Sequence, residues 1–113
     1  MSKLNLGDSL ILDSNYSTGA EVKTGATWID GKPIYRKVFT ITTSVDNAWI
    51  TYDDDETHNI VFTLGKIGGY IVPFYQANNS NYWFAIYNRT YRCGSGILSN
   101  SGYIVAFYTK TTD

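Results

Sequence analysis

Residues 103–109 read Tyr103-Ile104-Val105-Ala106-Phe107-Tyr108-Thr109. Aromatic and β-branched side chains crowd this stretch, without the three-and-four spacing of an amphipathic helix. On the two-residue period of a strand, Tyr103, Val105 and Phe107 line one face and Ile104, Ala106 and Tyr108 the other. Both faces are apolar or amphipathic. The same holds for residues 82–87, where Tyr82, Phe84 and Ile86 oppose Trp83, Ala85 and Tyr87, and for residues 70–75, where Tyr70, Val72 and Phe74 oppose Ile71, Pro73 and Tyr75. Pro73 has no amide hydrogen for a central ladder, so the segment that holds it is expected at a sheet edge.

Outward from these stretches, segments 34–43, 48–52 and 59–64 have the same residue types, and turn residues punctuate the chain between them. Asp30-Gly31, Asp53-Asp54-Asp55, Gly65 to Gly69, Asn78-Asn79-Ser80-Asn81, Gly94-Ser95-Gly96 and Asn100-Ser101-Gly102 leave segments of strand length rather than helix length. The pattern predicts an all-β domain, a small antiparallel β-sandwich of six to eight strands over residues 26–113. Residues 1–25, dominated by Ser, Asn, Asp, Gly, Thr and Lys, are expected as an extended polar lead-in. A two-layer sandwich of this size buries one face of each sheet. The second apolar faces must then pack on another subunit, bind a ligand or stay exposed.

At 113 residues the chain has room for one core. Nine basic and ten acidic residues leave a net charge of -1 without a basic stripe, which argues against nucleic acid as a partner. Ten Tyr, five Phe and three Trp make 16% of the chain aromatic, too much for a disordered segment. The single Cys93 can form neither an internal disulfide nor a thiolate metal site, and is expected as a small thiol in or near a turn. No run is long enough for a signal h-region or a membrane span; a soluble protein without an export signal or membrane insertion is expected.

The most specific local string is Gly25-Ala26-Thr27-Trp28-Ile29-Asp30-Gly31-Lys32-Pro33-Ile34-Tyr35-Arg36-Lys37. Asp30-Gly31 predicts a tight type I′ hairpin turn between Trp28-Ile29 and Ile34-Tyr35. With Tyr16-Ser17-Thr18 before it and Tyr108-Thr109-Lys110-Thr111-Thr112-Asp113 at the end of the sequence, this string resembles the C-terminal tip domains of tail-fibre and minor structural proteins from phages and prophages of Gram-positive bacteria. The resemblance lies at the edges of the domain, and residues 44–100 carry none of it. It implies a role in host attachment, a homotrimeric assembly and a place in the virion, at the fibre tip, after synthesis in the bacterial cytoplasm. A lead-in of this kind is also expected where a domain has been cut from a longer fibre.

Several residue groups raise other chemistries. The run Asp53-Asp54-Asp55-Glu56 offers hard oxygen ligands for Ca²⁺ but lacks the spaced order of a calcium loop, so a solvated turn and no bound metal are expected. His58 has no second histidine and is expected simply to begin a strand. A thiol nucleophile at Cys93 would need His58 as its base, and a Ser-His-Asp site would need a nucleophile elbow that the sequence lacks. The eight Asp and two Glu sit mostly in turns or in the lead-in, not as a glycosidase pair. Neither an enzyme nor a cofactor is expected. Asn-x-Ser/Thr patterns at Asn15, Asn78 and Asn88 occur as often as chance predicts in so polar a chain.

Carbohydrate recognition suits the residues best, because sugars are held by aromatic faces and by hydrogen bonds from Asn and Arg. Asn79 and Asn81 adjoin Trp83, and Tyr87, Tyr91 and Arg92 follow; these six are the candidate ligand-binding residues. By alternation Trp83 and Tyr87 share a face and are spaced as a platform. The competing reading makes these aromatics core or trimer interface. The expected function is a non-enzymatic receptor-binding tip that recognises a bacterial surface glycan or protein. The alternatives are a structural trimerising cap of the fibre and a free-standing lectin-like module.

Overall fold

The computed structural model describes Tyr16 and residues 19–113. Among the described residues nine strands follow one another: β1 (Val22–Thr27), β2 (Pro33–Thr42), β3 (Ile50–Thr51), β4 (His58–Ile67), β5 (Tyr70–Ile71), β6 (Phe74–Tyr75), β7 (Trp83–Tyr87), β8 (Thr90–Cys93) and β9 (Ser101–Lys110). They form two antiparallel sheets, of five strands in the order β1-β2-β9-β4-β5 and of four in the order β3-β8-β7-β6. The expected all-β sandwich is what the chain adopts.

The stretch at residues 103–109 becomes the middle of the larger sheet. β9 pairs with β2 from Tyr35↔Tyr108 to Thr42↔Ser101, and with β4 from His58↔Lys110 to Ile67↔Gly102. Gly102 stands where backbones come close: a Cβ there would run into the Lys66 carbonyl oxygen. On the inner face, Ile104 joins Ile41 and Ile67 against Phe84, Tyr91 and Cys93 of the smaller sheet, and this cluster is the main core.

The opposite face of β9 is not left to another subunit at every position. Phe107 is fully buried with Ala26 and Ile34, and Trp28, Val61, Phe62 and Val105 pack on them. One chain therefore hides part of its second apolar face, among side chains of β1, β2, β4 and the β1–β2 turn. Further along, that face is open: Leu64 and Tyr103 are 41% and 50% exposed, and Ile71 of the edge strand β5 is 68% exposed.

Five local expectations need correction. The lead-in does not extend to residue 25, because residues 22–25 are part of β1, paired with β2. Thr24 is buried there with its hydroxyl donating to the Ile34 carbonyl at 2.8 Å, and Gly25 takes φ 86° at a break in register. Most of the expected lead-in, and Ser17 and Thr18 of the Tyr-Ser-Thr string, lie outside the described residues. The β1–β2 turn is not type I′, since only Gly31 of the Asp30-Gly31 pair has positive φ. Gly31 N–H donates to Trp28 O and Trp28 N–H to Lys32 O, both at 2.9 Å, as in a three-residue loop with a glycine bulge.

The segment 70–75 is divided into β5 and β6, with Val72-Pro73 between them. β5 is an edge of the larger sheet and β6 an edge of the smaller one, so Pro73 stands where the chain crosses from one layer to the other. Residues 90–93 form a strand that was not expected, and segment 48–52 shortens to the two residues of β3. Among the described residues, no helix is long and apolar enough to cross a membrane.

Candidate functional site: an aromatic face on the smaller sheet

Register places the side chains of the smaller sheet. Phe84 pairs with Cys93 and with Phe74, and Ile86 pairs with Tyr91, which pairs in turn with Ile50. These point into the main core. The alternate positions Tyr75, Trp83, Ala85, Tyr87 and Arg92 consequently look outward. Tyr75 and Tyr87 are 74% and 72% exposed.

Trp49, just before β3, belongs to the same face. It is 47% exposed, and its ring meets that of Tyr87 at 6.0 Å in an edge arrangement. The Arg92 guanidinium carbon lies 5.5 Å from the Trp49 ring centroid and 5.9 Å from that of Trp83. Arg92 Nε donates to Asn47 Oδ1 at 2.9 Å. Asn47 is itself fixed, in the left-handed region at φ 59°, with its N–H donating to Cys93 O. Trp83 lies over Gly94, where any Cβ would press on the indole nitrogen at 2.6 Å. The result is a cation held between two indoles, with two tyrosines beside them.

Of the six expected ligand-binding residues, the fold brings Trp83, Tyr87 and Arg92 onto this face. Tyr91 lies on the inner side, 6% exposed and stacked on Phe84 at 5.2 Å, and burial pushes its hydroxyl pKa upward. Asn79 and Asn81 shape the β6–β7 turn: Asn79 Oδ1 accepts from Asn81 N–H at 3.1 Å, and Asn81 O accepts from Gly96 N–H at 2.8 Å. Trp49 and Asn47 complete the face and were missed. Trp49 sits at an outward position of the expected segment 48–52, but its place beside Arg92 follows from the non-local pairing of β3 with β8.

A second polar group gathers at the far end of β9. His58 begins β4 as expected, yet it is buried and stacked on Tyr108 at 3.8 Å. Its Nδ1 is 2.8 Å from Asp53 Oδ2, and its Nε2 is 3.2 Å from Asp55 Oδ2 and 3.8 Å from Glu21 Oε1. Tyr108 donates to Glu21 Oε1 at 2.6 Å and Lys110 to Glu21 Oε2 at 2.7 Å. Burial works against ionisation of Glu21, but these two hydrogen bonds outweigh it and hold the carboxyl below its ordinary range.

The acidic run is accordingly not a plain solvated turn. Asp53 is 2% exposed, and Asp55 Oδ1 accepts from both the amide and the hydroxyl of Thr57, which lowers the Asp55 pKa. Among the described residues, no group of three or more His, Cys, Asp or Glu is arranged to hold a metal ion. Cys93 ends β8 in the main core, and burial raises its pKa. His58 is engaged with carboxylates, away from that thiol's cluster.

Searches against protein-family profiles, curated proteins and solved structures return no match to this chain.

Proposed function

We propose that this domain is a non-enzymatic recognition module, the receptor-binding tip of a phage or prophage tail fibre, which holds a bacterial surface glycan on the outer face of its smaller sheet. The observation that carries this reading is Arg92 set between the indoles of Trp49 and Trp83, beside the exposed Tyr87. Aromatic faces stack on the C–H surfaces of sugars, and a fixed guanidinium and nearby amides answer their hydroxyls. Large exposed aromatics gathered on one sheet face are otherwise a costly surface for a small domain to leave in water. The phage assignment rests on the resemblance of the Trp28–Arg36 string and of the last six residues.

In this reading three chains assemble through the outer face of the larger sheet, where Leu64, Ile71 and Tyr103 are exposed. Three modest sites on one tip then act together on a repeating cell-surface ligand, with a gain on the order of 10²–10⁴ over a single site. The same apolar patch favours the second reading, a trimerising cap without a ligand. Labelled protein applied to a panel of Gram-positive strains tests between them. Staining of some strains, lost when Trp49 and Trp83 are both changed to Ala, is the expected result. Absence of staining on every strain would leave the cap.

A further inference from the structure

We infer that the aromatic face selects an anionic sugar, one with a carboxylate or phosphate substituent, and that Arg92 is the residue that reads the charge. The inference rests on that face being a glycan site and adds the chemical class of the glycan.

An arginine side chain has one Nε and two Nη groups, and Nε of Arg92 is committed to Asn47 Oδ1 at 2.9 Å. Among the described residues, Nη1 and Nη2 have no hydrogen-bond acceptor, and no carboxylate lies within 4.0 Å of the guanidinium. Arg89 is different: its Nη1 donates to the Asp53 carbonyl at 3.0 Å, a structural bond. A fixed Nε with two open Nη donors is a planar fork, and its spacing suits two oxygens of one carboxylate or phosphate.

Charge on the face points the same way. The outward strand positions of the smaller sheet supply Arg92 and no carboxylate. Among the described residues, Asp53 to Glu56 lie in the β3–β4 loop beside His58, and Asp46, next to Asn47, forms no ion pair with Arg92. Arg92 is half-buried between the two rings, so water screens it less than a free surface cation. A sugar stacked on either indole has the guanidinium within 6 Å of that ring centroid. An acidic substituent on the ring can therefore reach the Nη pair while the ring stays stacked.

The test is an array of bacterial surface polysaccharide repeats. Each uronate-containing or phosphorylated structure is printed beside its carboxyl-reduced or dephosphorylated counterpart, and the full chain is applied as wild type, Arg92→Gln and Arg92→Lys. The best matched pair is then titrated by calorimetry. The acidic member should bind about tenfold or more tightly than its neutral counterpart, as a charge-assisted hydrogen-bond pair gives. Arg92→Gln should erase that preference while neutral binding persists, and Arg92→Lys, a point charge without the fork, should retain part of it. Added salt should weaken the acidic arm alone.

Which acidic arm wins identifies carboxylate or phosphate. Equal binding within each pair, with neutral binding lost in Trp49→Ala, overturns the anionic assignment and leaves the glycan site standing. Binding to no structure on the array overturns both. Asn47→Ala, which frees Nε without removing the charge, should reduce the acidic preference, and serves as the second variant should Arg92→Gln fold poorly.

Discussion

Asp53 Oδ2 and His58 Nδ1 lie 2.8 Å apart, with only 2% and 5% of their side chains exposed. Two residues of a turn-like sequence thus form a buried polar pair beneath the edge of the larger sheet. Asp53 does more than meet the imidazole, since its Oδ1 accepts the Asp55 amide at 3.1 Å and its carbonyl accepts from Arg89. Asp53→Ala strips the imidazole Nδ1 of its partner, and leaving such groups unsatisfied is expected to cost about 2–4 kcal/mol. Asp54→Ala, one position on and exposed, should change stability by about 0.5 kcal/mol or less. Urea denaturation of the two variants checks this, and equal midpoints would remove the pair from any account of stability.

Glu21 and Lys110 give the fold a pH dependence at both extremes. The Glu21 carboxyl is held below its ordinary 4.5, so its contribution is complete above that value and is lost as pH falls through the lower folded value. The hydrogen bond to Glu21 raises the Lys110 ammonium above 10.5; its contribution is present below that value and fades as pH rises through the folded one. With about a third of the Glu21 side chain exposed, screening keeps the effect modest, and Glu21→Gln should cost about 1 kcal/mol at neutral pH. Thermal melts across pH should show that cost vanish in acid. A constant difference at every pH would contradict this linkage.

Trp83→Ala combined with Tyr87→Ala should abolish cell staining while the protein still melts cooperatively. Tyr87 is 72% exposed and contributes little to the core. Trp49→Ala alone should reduce glycan affinity by about tenfold or more, as loss of a central aromatic contact does. Tyr91→Phe, whose ring stays stacked on Phe84, should leave staining intact. Staining lost in Tyr91→Phe but kept in Trp49→Ala would move the site off this face.

Gly102→Ala tests the packing of the larger sheet. The added methyl would meet the Lys66 carbonyl oxygen and, at 2.7 Å, Ile67 Cα, and neither is the end of a flexible side chain. Overpacking of this kind should cost about 3 kcal/mol or more. Gly69→Ala is the control, since nothing lies within 4 Å of the position its Cβ would take. Denaturant midpoints should fall for the first variant alone.

Light scattering should return about three times the chain mass of 12.7 kDa. Leu64→Asp together with Tyr103→Asp should reduce it to the single-chain value without unfolding the domain. A clean monomer in the unaltered protein at micromolar concentration would end the trimer proposal and favour a free-standing module.

The sequence declared its strands where side-chain type and turn chemistry agreed. Residues 103–109 were readable because two apolar faces and flanking turns all point to a buried strand, and β9 is that strand. β1 was hidden because Thr24, Gly25 and Ala26 lack bulky side chains; the burial of Thr24 and Ala26 comes from pairing with β2 and from the cluster around Phe107. Alternation put Trp83 and Tyr87 on one face but could not say which residues of the neighbouring strands joined them. Trp49 reaches Arg92 through pairing between residues some 40 positions apart, and no local pattern encodes that. Tyr91 was misplaced for a similar reason: its parity on β8 is fixed by the register with β7. The His58 group was invisible because Glu21, Asp53, His58 and Tyr108 meet only in three dimensions.

β9 lies between β2 and β4, and both long strands reach their inner neighbour only when residues 101–110 have been made. During synthesis the earlier strands emerge with apolar side chains and open hydrogen-bonding edges and must wait for this one. Closure of the larger sheet is therefore a late event with long sequence separations, the kind that slows folding. The chain is most exposed to edge-to-edge aggregation in that interval, so a slip that delays β9 would be expressed as loss of yield before it is seen as loss of stability.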